Sequence, residues 1–202
     1  MATNLDEICK FLDEANLRYD RRENDVITGF GTKRYQDSDG ENGILVVILP
    51  SENGEYLEIF CPGAYKCGQT PHKATVLQAL LMVSWRTKLV QFEYDDTDGE
   101  IRPKVEFPLE DASLTKLQLF RCIQGIAQIV DQFDPVIRGA MDRGVIEWPP
   151  EIEASQTFAR ALAGGEGADD LMREFARFLA ARGRGAGDPS GDGKGGDVGL
   201  ED

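Results

Sequence analysis

The sequence predicts an α+β fold: an antiparallel sheet of about five strands with helices in the order α-β-β-β-α-β-β-α, then a C-terminal helical extension and a disordered tail. Three observations carry this. Short β-branched and aromatic runs are separated by turn sequences such as Ser51-Glu52-Asn53-Gly54 and Asp95-Asp96-Thr97-Asp98-Gly99, which favour hairpins and so antiparallel pairing. Two long stretches, 70–87 and 114–143, carry apolar residues at helical spacing. After Glu151 the composition turns to Gly and Ala, and beyond Gly183 almost no apolar residue remains.

The first helix is expected from Leu5 to Arg18. Asn4 can cap it, and Glu7 three residues later completes a capping box. Leu5, Ile8, Leu12 and Ala15 share its apolar face. Tyr19 to Asn24 is charged and reads as a loop. The first strand spans Asp25 to Phe30, with Gly29 and Gly31 marking a bend. A long polar loop follows to Gly43. The second strand, Ile44 to Leu49, is apolar on both faces, as a central strand would be, and is stopped by Pro50. The third runs from Glu55 to Cys61.

Thr70 and Pro71 have the residue types of a helix cap and first position, and the helix they open reaches Thr87. A fourth strand is expected from Leu89 to Tyr94. A fifth runs from Glu100 to Pro108, where Pro103 favours an edge or bulged place. Ser113 caps the long helix, Asp134-Pro135 predicts a break or kink in it, and Gly144 ends it.

That long helix has two apolar stripes. Leu114, Leu117, Phe120, Ile123, Ala127, Val130 and Ile137 form one; Leu119, Cys122, Ile126, Ile129 and Phe133 form the other. A surface helix needs a single stripe of roughly 100°. The surplus predicts cover on two sides, one of them a sheet and the other more of the chain or a second copy.

With 36 Asp+Glu against 22 Lys+Arg in 202 residues, the net charge is −14. An acidic chain is a poor partner for nucleic acid or anionic lipid. No apolar run reaches the roughly 18 residues of a membrane span, and the acidic N-terminus lacks an export signal, so a cytoplasmic address is expected. Cys9, Cys61, Cys67 and Cys122 lack the paired spacing of a zinc ribbon and read as buried thiols, with a Cys61–Cys67 redox pair as the minor reading.

Chemistry-bearing motifs are sparse. His72 is the lone histidine, at the start of the second helix, 70–87. Asp95, Asp96, Asp98 and Glu100 hold only a fragment of a calcium loop, since the position six past Gly99 is Val105. Asp37-x-Asp39-Gly40 is a similar fragment. Gly29-Phe30-Gly31 lacks the third glycine of a nucleotide loop. No catalytic, cofactor or metal residue is assigned from these motifs.

The order of elements, the strand pair Ile44–Leu49 and Glu55–Cys61, the run Val76-Leu77-Gln78-Ala79-Leu80-Leu81 leading into Val90-Gln91-Phe92-Glu93-Tyr94-Asp95, and the helix around Leu117 to Val130 resemble the YbjN family, whose fold looks like that of type III secretion chaperones. The resemblance covers roughly residues 1–148. It implies a small acidic bacterial homodimer without cofactor that binds protein segments, as chaperone or regulator. Residues 149–182 form the helical extension and 183–202 the tail. Isologous dimerisation through the second helix, 70–87, and the fourth strand is expected, with Leu80, Val83, Trp85 and Phe92 in contact. Leu171, Phe175, Phe178 and Leu179 line one face of a short helix expected from Asp169 to Arg182, which either docks back on its own domain or serves as a tethered recognition helix for another protein. The contrasting reading is an unrecognised enzyme or small-ligand sensor using the pocket around the second helix, 70–87.

Overall fold

The computed structural model describes residues 3–68 and 70–153. The chain divides into two compact units, Met1–Trp148 and Pro149–Asp202. In the second, the described residues 149–153 turn helical, with the N–H groups of Ile152 and Glu153 donating to the Pro149 carbonyl. The expected recognition helix with Leu171, Phe175, Phe178 and Leu179, and the tail, lie outside the described residues.

The first unit is α+β, as expected, with α1 (Leu5–Asp13), β1 (Tyr19–Arg21), β2 (Val26–Gly31), β3 (Gly43–Ser51), β4 (Tyr56–Phe60), β5 (Tyr65–Lys66), α2 (Lys73–Arg86), β6 (Gln91–Tyr94), β7 (Glu100–Pro108) and α3 (Lys116–Arg143). All pairings are antiparallel, in the order β1-β2-β3-β4-β7, with β6 on the far side of β7. The sheet thus has seven strands. The two that were not expected are very short: β1 pairs with β2, and β5 continues the line of β4 along the first half of β7.

Alternation along each strand sorts the residues onto two faces. Val26 and Thr28, Ile44, Val46 and Ile48, Leu57 and Ile59, and Ile101 and Val105 are buried on the inner face. α3 lies against β3, β4 and β7, and α2 packs on α3 and β6. Burying each large aliphatic side chain contributes roughly 1.5–3 kcal/mol, so this layer dominates the stability.

Several local expectations give way to tertiary context. α1 ends at Asp13, although Asn4 caps it by accepting from the Glu7 N–H at 2.9 Å. Thr70 does not cap α2. Its hydroxyl donates to the Met141 carbonyl at 2.9 Å, and His72 occupies the cap position without a side-chain bond. α3 is capped by Thr115 rather than Ser113, in a reciprocal box with Gln118. Pro135 lies inside α3 and does not split it, because Val130, Phe133, Val136 and Ile137 on both sides of it are buried. Pro50 does not stop β3; it pairs with Leu57, past the end of β2.

Pro103 lies in an interior strand, not at an edge. The Cys61 N–H donates to its carbonyl at 3.0 Å. Proline cannot return that bond, and the β4 pairing ends at the preceding register position, Phe60 with Lys104. Gly144 closes α3 with φ +68°, a left-handed value that glycine adopts without strain, and a side chain there would strike the His72 ring.

The long loop between β2 and β3 is pinned to α3. One carboxylate oxygen of Asp131 accepts from the N–H groups of Lys33, Arg34 and Tyr35 at 2.8, 2.7 and 3.0 Å. One helical turn on, Asp134 is buried and accepts from the Tyr65 hydroxyl at 3.1 Å. Arg138 donates to the Gln36 carbonyl at 2.8 Å. Burial alone would raise the pKa of Asp131, but the three backbone donors outweigh it and hold the group below the ordinary carboxylate range.

Asp131→Asn is therefore expected to lower stability by roughly 2 kcal/mol, the scale of losing charge-assisted hydrogen bonds. A depressed folded pKa contributes stability above the unfolded value near 3.9, and that contribution fades as pH falls through the lower folded value. Urea midpoints of the two proteins should differ at pH 7 and converge toward pH 3; a constant difference would contradict the clamp.

Candidate protein-interaction surface

The interaction surface expected from the sequence lies on α2 and β6. Core positions of α2 are Val76, Ala79, Leu80 and Val83. Leu80 and Val83 are 3% and 0% exposed within one chain, so those two side chains belong to its core. On the opposite side of the helix, Leu81 and Trp85 are 73% and 86% exposed. They lie four residues apart and therefore stand in one row. Leu89, just past the end of α2 and in a left-handed conformation with φ 74°, is 53% exposed. Phe92 in β6 is half-buried and opposite Pro103.

The structure thus divides the expected contact set. Trp85 is outside, Leu80 and Val83 are inside, and Leu81 and Leu89 join Trp85. The i, i+4 spacing of Leu81 and Trp85 was a usable signal, but a helix apolar over most of its circumference does not declare which side is core.

Among the described residues β6 pairs with β7 alone, so its other edge is unpaired. Lys73 sets its ammonium over the Tyr94 ring, 4.4 Å from the centroid, at one end of the α2–β6 contact. At the other end the Arg86 guanidinium lies 3.9 Å from the centroid of Trp148, which meets Phe133 edge-on at 6.2 Å. The two tryptophans therefore differ in role: Trp148 seals α2 to α3, and Trp85 is presented outward.

The other sequence candidates are dispersed. His72 abuts Gly144 at the start of α2. Asp95 accepts from the Thr97 N–H and hydroxyl and Asp98 accepts from the Glu100 N–H, which closes the turn, while Glu100 accepts from the Gly63 N–H and ties it to the segment after β4. Asp37 likewise accepts from the N–H groups of Asp39 and Glu41. No group of three or more His, Cys, Asp or Glu residues able to hold a metal occurs among the described residues. The four cysteines are buried free thiols. Burial raises the pKa of Cys61, Cys67 and Cys122, which keeps them as weakly nucleophilic thiols at neutral pH. No helix among the described residues is long and apolar enough to cross a membrane.

Among the described residues open clefts occur at three places. One of about 560 Å³ lies at the loop end of the β2–β3 hairpin. One of about 510 Å³ is walled by Glu93, Tyr94, Asp95, Asp96, Glu100 and Arg102. A smaller one, about 350 Å³, lies beside the start of α1.

No family model and no curated protein matches the chain in sequence. Among solved structures the chain is similar to YbjN from E. coli, with a TM-score of 0.47 and 10% identity over 67% of this chain and 94% of that one. That likeness concerns the arrangement of elements alone.

The division of α2 has a measurable consequence. Leu80→Ala should cost about 2–5 kcal/mol by opening a cavity, while Leu81→Ala should change stability by less than about 0.5 kcal/mol. Urea unfolding of the two variants checks this, and equal losses would refute the assignment of inner and outer sides.

Proposed function

We propose that this chain is a non-catalytic protein-binding module, chaperone-like or regulatory, that acts as a homodimer. The observation that supports it is the outward row of Leu81 and Trp85 on α2, an element that contacts a strand with an unpaired edge, together with exposed Leu89 just past the end of that helix. Large apolar side chains clustered on a surface mark sites of association more often than isolated ones do. Trp is favoured at such sites because it buries much area with few rotatable bonds. A two-fold axis beside α2 would set this row against its own copy. The acidic surface keeps the module soluble and disfavours acidic partners.

Sedimentation at micromolar concentration should give the mass of a dimer. The double variant Leu81→Glu, Trp85→Glu should sediment as a monomer with an unchanged far-ultraviolet spectrum. A wild-type protein that remains monomeric throughout the range would end the homodimer reading. A defined protein partner retained at high salt would support apolar binding, whereas a stoichiometric small molecule in the purified protein would argue for a ligand sensor.

A further inference from the structure

The outer face of the sheet, opposite α3, carries three glycines at one end, where Leu45 is the one neighbouring large side chain. Alternation places Gly29 and Gly31 of β2 outward, and register pairs them with Leu45 and Gly43 of β3. None of these three glycines has the positive φ that only glycine adopts easily. Nor does internal packing require them. A Cβ at Gly31 would meet nothing within 4 Å, and at Gly29 and Gly43 it would make only ordinary contacts of 3.6 Å and 3.7 Å. Glycine inside a strand weakens it, through lost chain entropy and lost cross-strand packing. The fold therefore gains nothing from this bare shelf. The space it leaves lies on the outside, where another backbone can come close.

The shelf lines a cleft of about 560 Å³, which falls within the size range of binding sites. Leu45, 60% exposed, is the apolar side chain standing on that floor. Its wall is the loop that Asp131 clamps to α3, so the wall is held rather than floating. That wall brings Asp37, Asp39 and Glu41 to the cleft, and no Lys, Arg or His lines it. A low-lying apolar floor beside carboxylates complements a chain segment that carries both apolar and positively charged side chains.

We propose that the glycine shelf at the end of the β2–β3 hairpin is a docking site for a basic, apolar-bearing segment of a partner protein. This rests on the protein-binding reading and names the partner's chemistry, at a surface separate from the α2 row. The segment lays its backbone over Gly29 and Gly31, sets an apolar side chain against Leu45 and directs Arg or Lys toward Asp39 and Glu41.

The test uses the full chain and two fluorescein-labelled peptides, one alternating arginine with leucine and one alternating glutamate with leucine, read by anisotropy. The arginine peptide should bind at least about tenfold more tightly than the glutamate peptide, and its binding should weaken as salt is added. Gly31→Val should fill the shelf, reduce binding about tenfold or more, and leave the thermal midpoint unchanged or raised. Leu45→Arg should also weaken binding, as a variant at an exposed position that does not burden the fold. Equal binding of the two peptides, or undiminished binding by both folded variants, would overturn the proposal. Trp85→Glu separates the two sites: loss of the dimer with retained peptide binding is expected. A wild-type monomer that still prefers the arginine peptide would sink the dimer reading while leaving the shelf.

Discussion

The inner face of the sheet presents Val26, Val46, Ile48, Leu57, Ile59, Ile101 and Val105 to helical cover, and α3 supplies most of it. Removing this layer from water is the largest favourable contribution available to the fold. It also explains why Pro135 does not break α3. A proline inside a helix costs about 3 kcal/mol or more through its missing hydrogen bond and its clash with the preceding turn. Two large buried side chains on each side of it, Val130 and Phe133, Val136 and Ile137, outweigh that if each contributes roughly 1.5–3 kcal/mol. Asp131 and Asp134, on the same stretch, then hold the β2–β3 loop and Tyr65 in place.

Cover on the inner face leaves the outer face to satisfy itself. Lys104 does so at its centre. Its ammonium is ion-paired with Glu58 at 2.9 Å, with Glu93 at 3.4 Å and with Glu106. Burial opposes its charge, but these carboxylates more than compensate and raise its pKa. Arg102 pairs with Glu93 at 2.9 Å and covers the Phe60 ring, 4.9 Å from its centroid. Apolar stems and rings are thereby shielded by charged heads. The glycine end of β2 and β3 lacks any such arrangement, which is why it stands apart from the rest of this face.

Much of this could be read from the residues. Glu100–Pro108 was expected with its observed bounds, and β2, β3, β4 and α2 were each expected within a few residues. Tyr19–Arg21 escaped because three polar residues carry no alternation; the strand exists only because β2 offers it partners. Tyr65–Lys66 escaped for the same reason. The double apolar face of Ile44–Leu49 suggested a strand buried on both sides, yet Leu45 is exposed and its neighbour Val47 is sheltered among outward side chains. Periodicity reports that a face is apolar without saying what covers it. The same ambiguity governed the helices. The expected surplus lay on α3, but within one chain the apolar residues of α3 are buried apart from exposed Leu117 and half-covered Phe120, Ile129 and Met141, its polar face carries Gln118, Arg121, Gln124 and Gln128, and the outward residue of interest is Trp85 on α2.

The two proposed surfaces lie at different parts of the sheet. α2 contacts β6, beyond β7, while the glycine shelf is on β2 and β3, separated from β6 by β4 and β7. They also differ in chemistry: one is a row of large apolar side chains, the other bare backbone beside carboxylates. A dimer formed through α2 would leave the shelf of each protomer open. Two shelves on one rigid particle would turn the second of two docking events into an intramolecular one, with avidity set by the spacing between segments on the partner. Weak individual docking, as expected for a shallow open cleft, would then suffice for retention of a partner with two basic segments, and a partner with one would be released readily. Self-association and partner choice would be linked by geometry alone, without any conformational change in the fold.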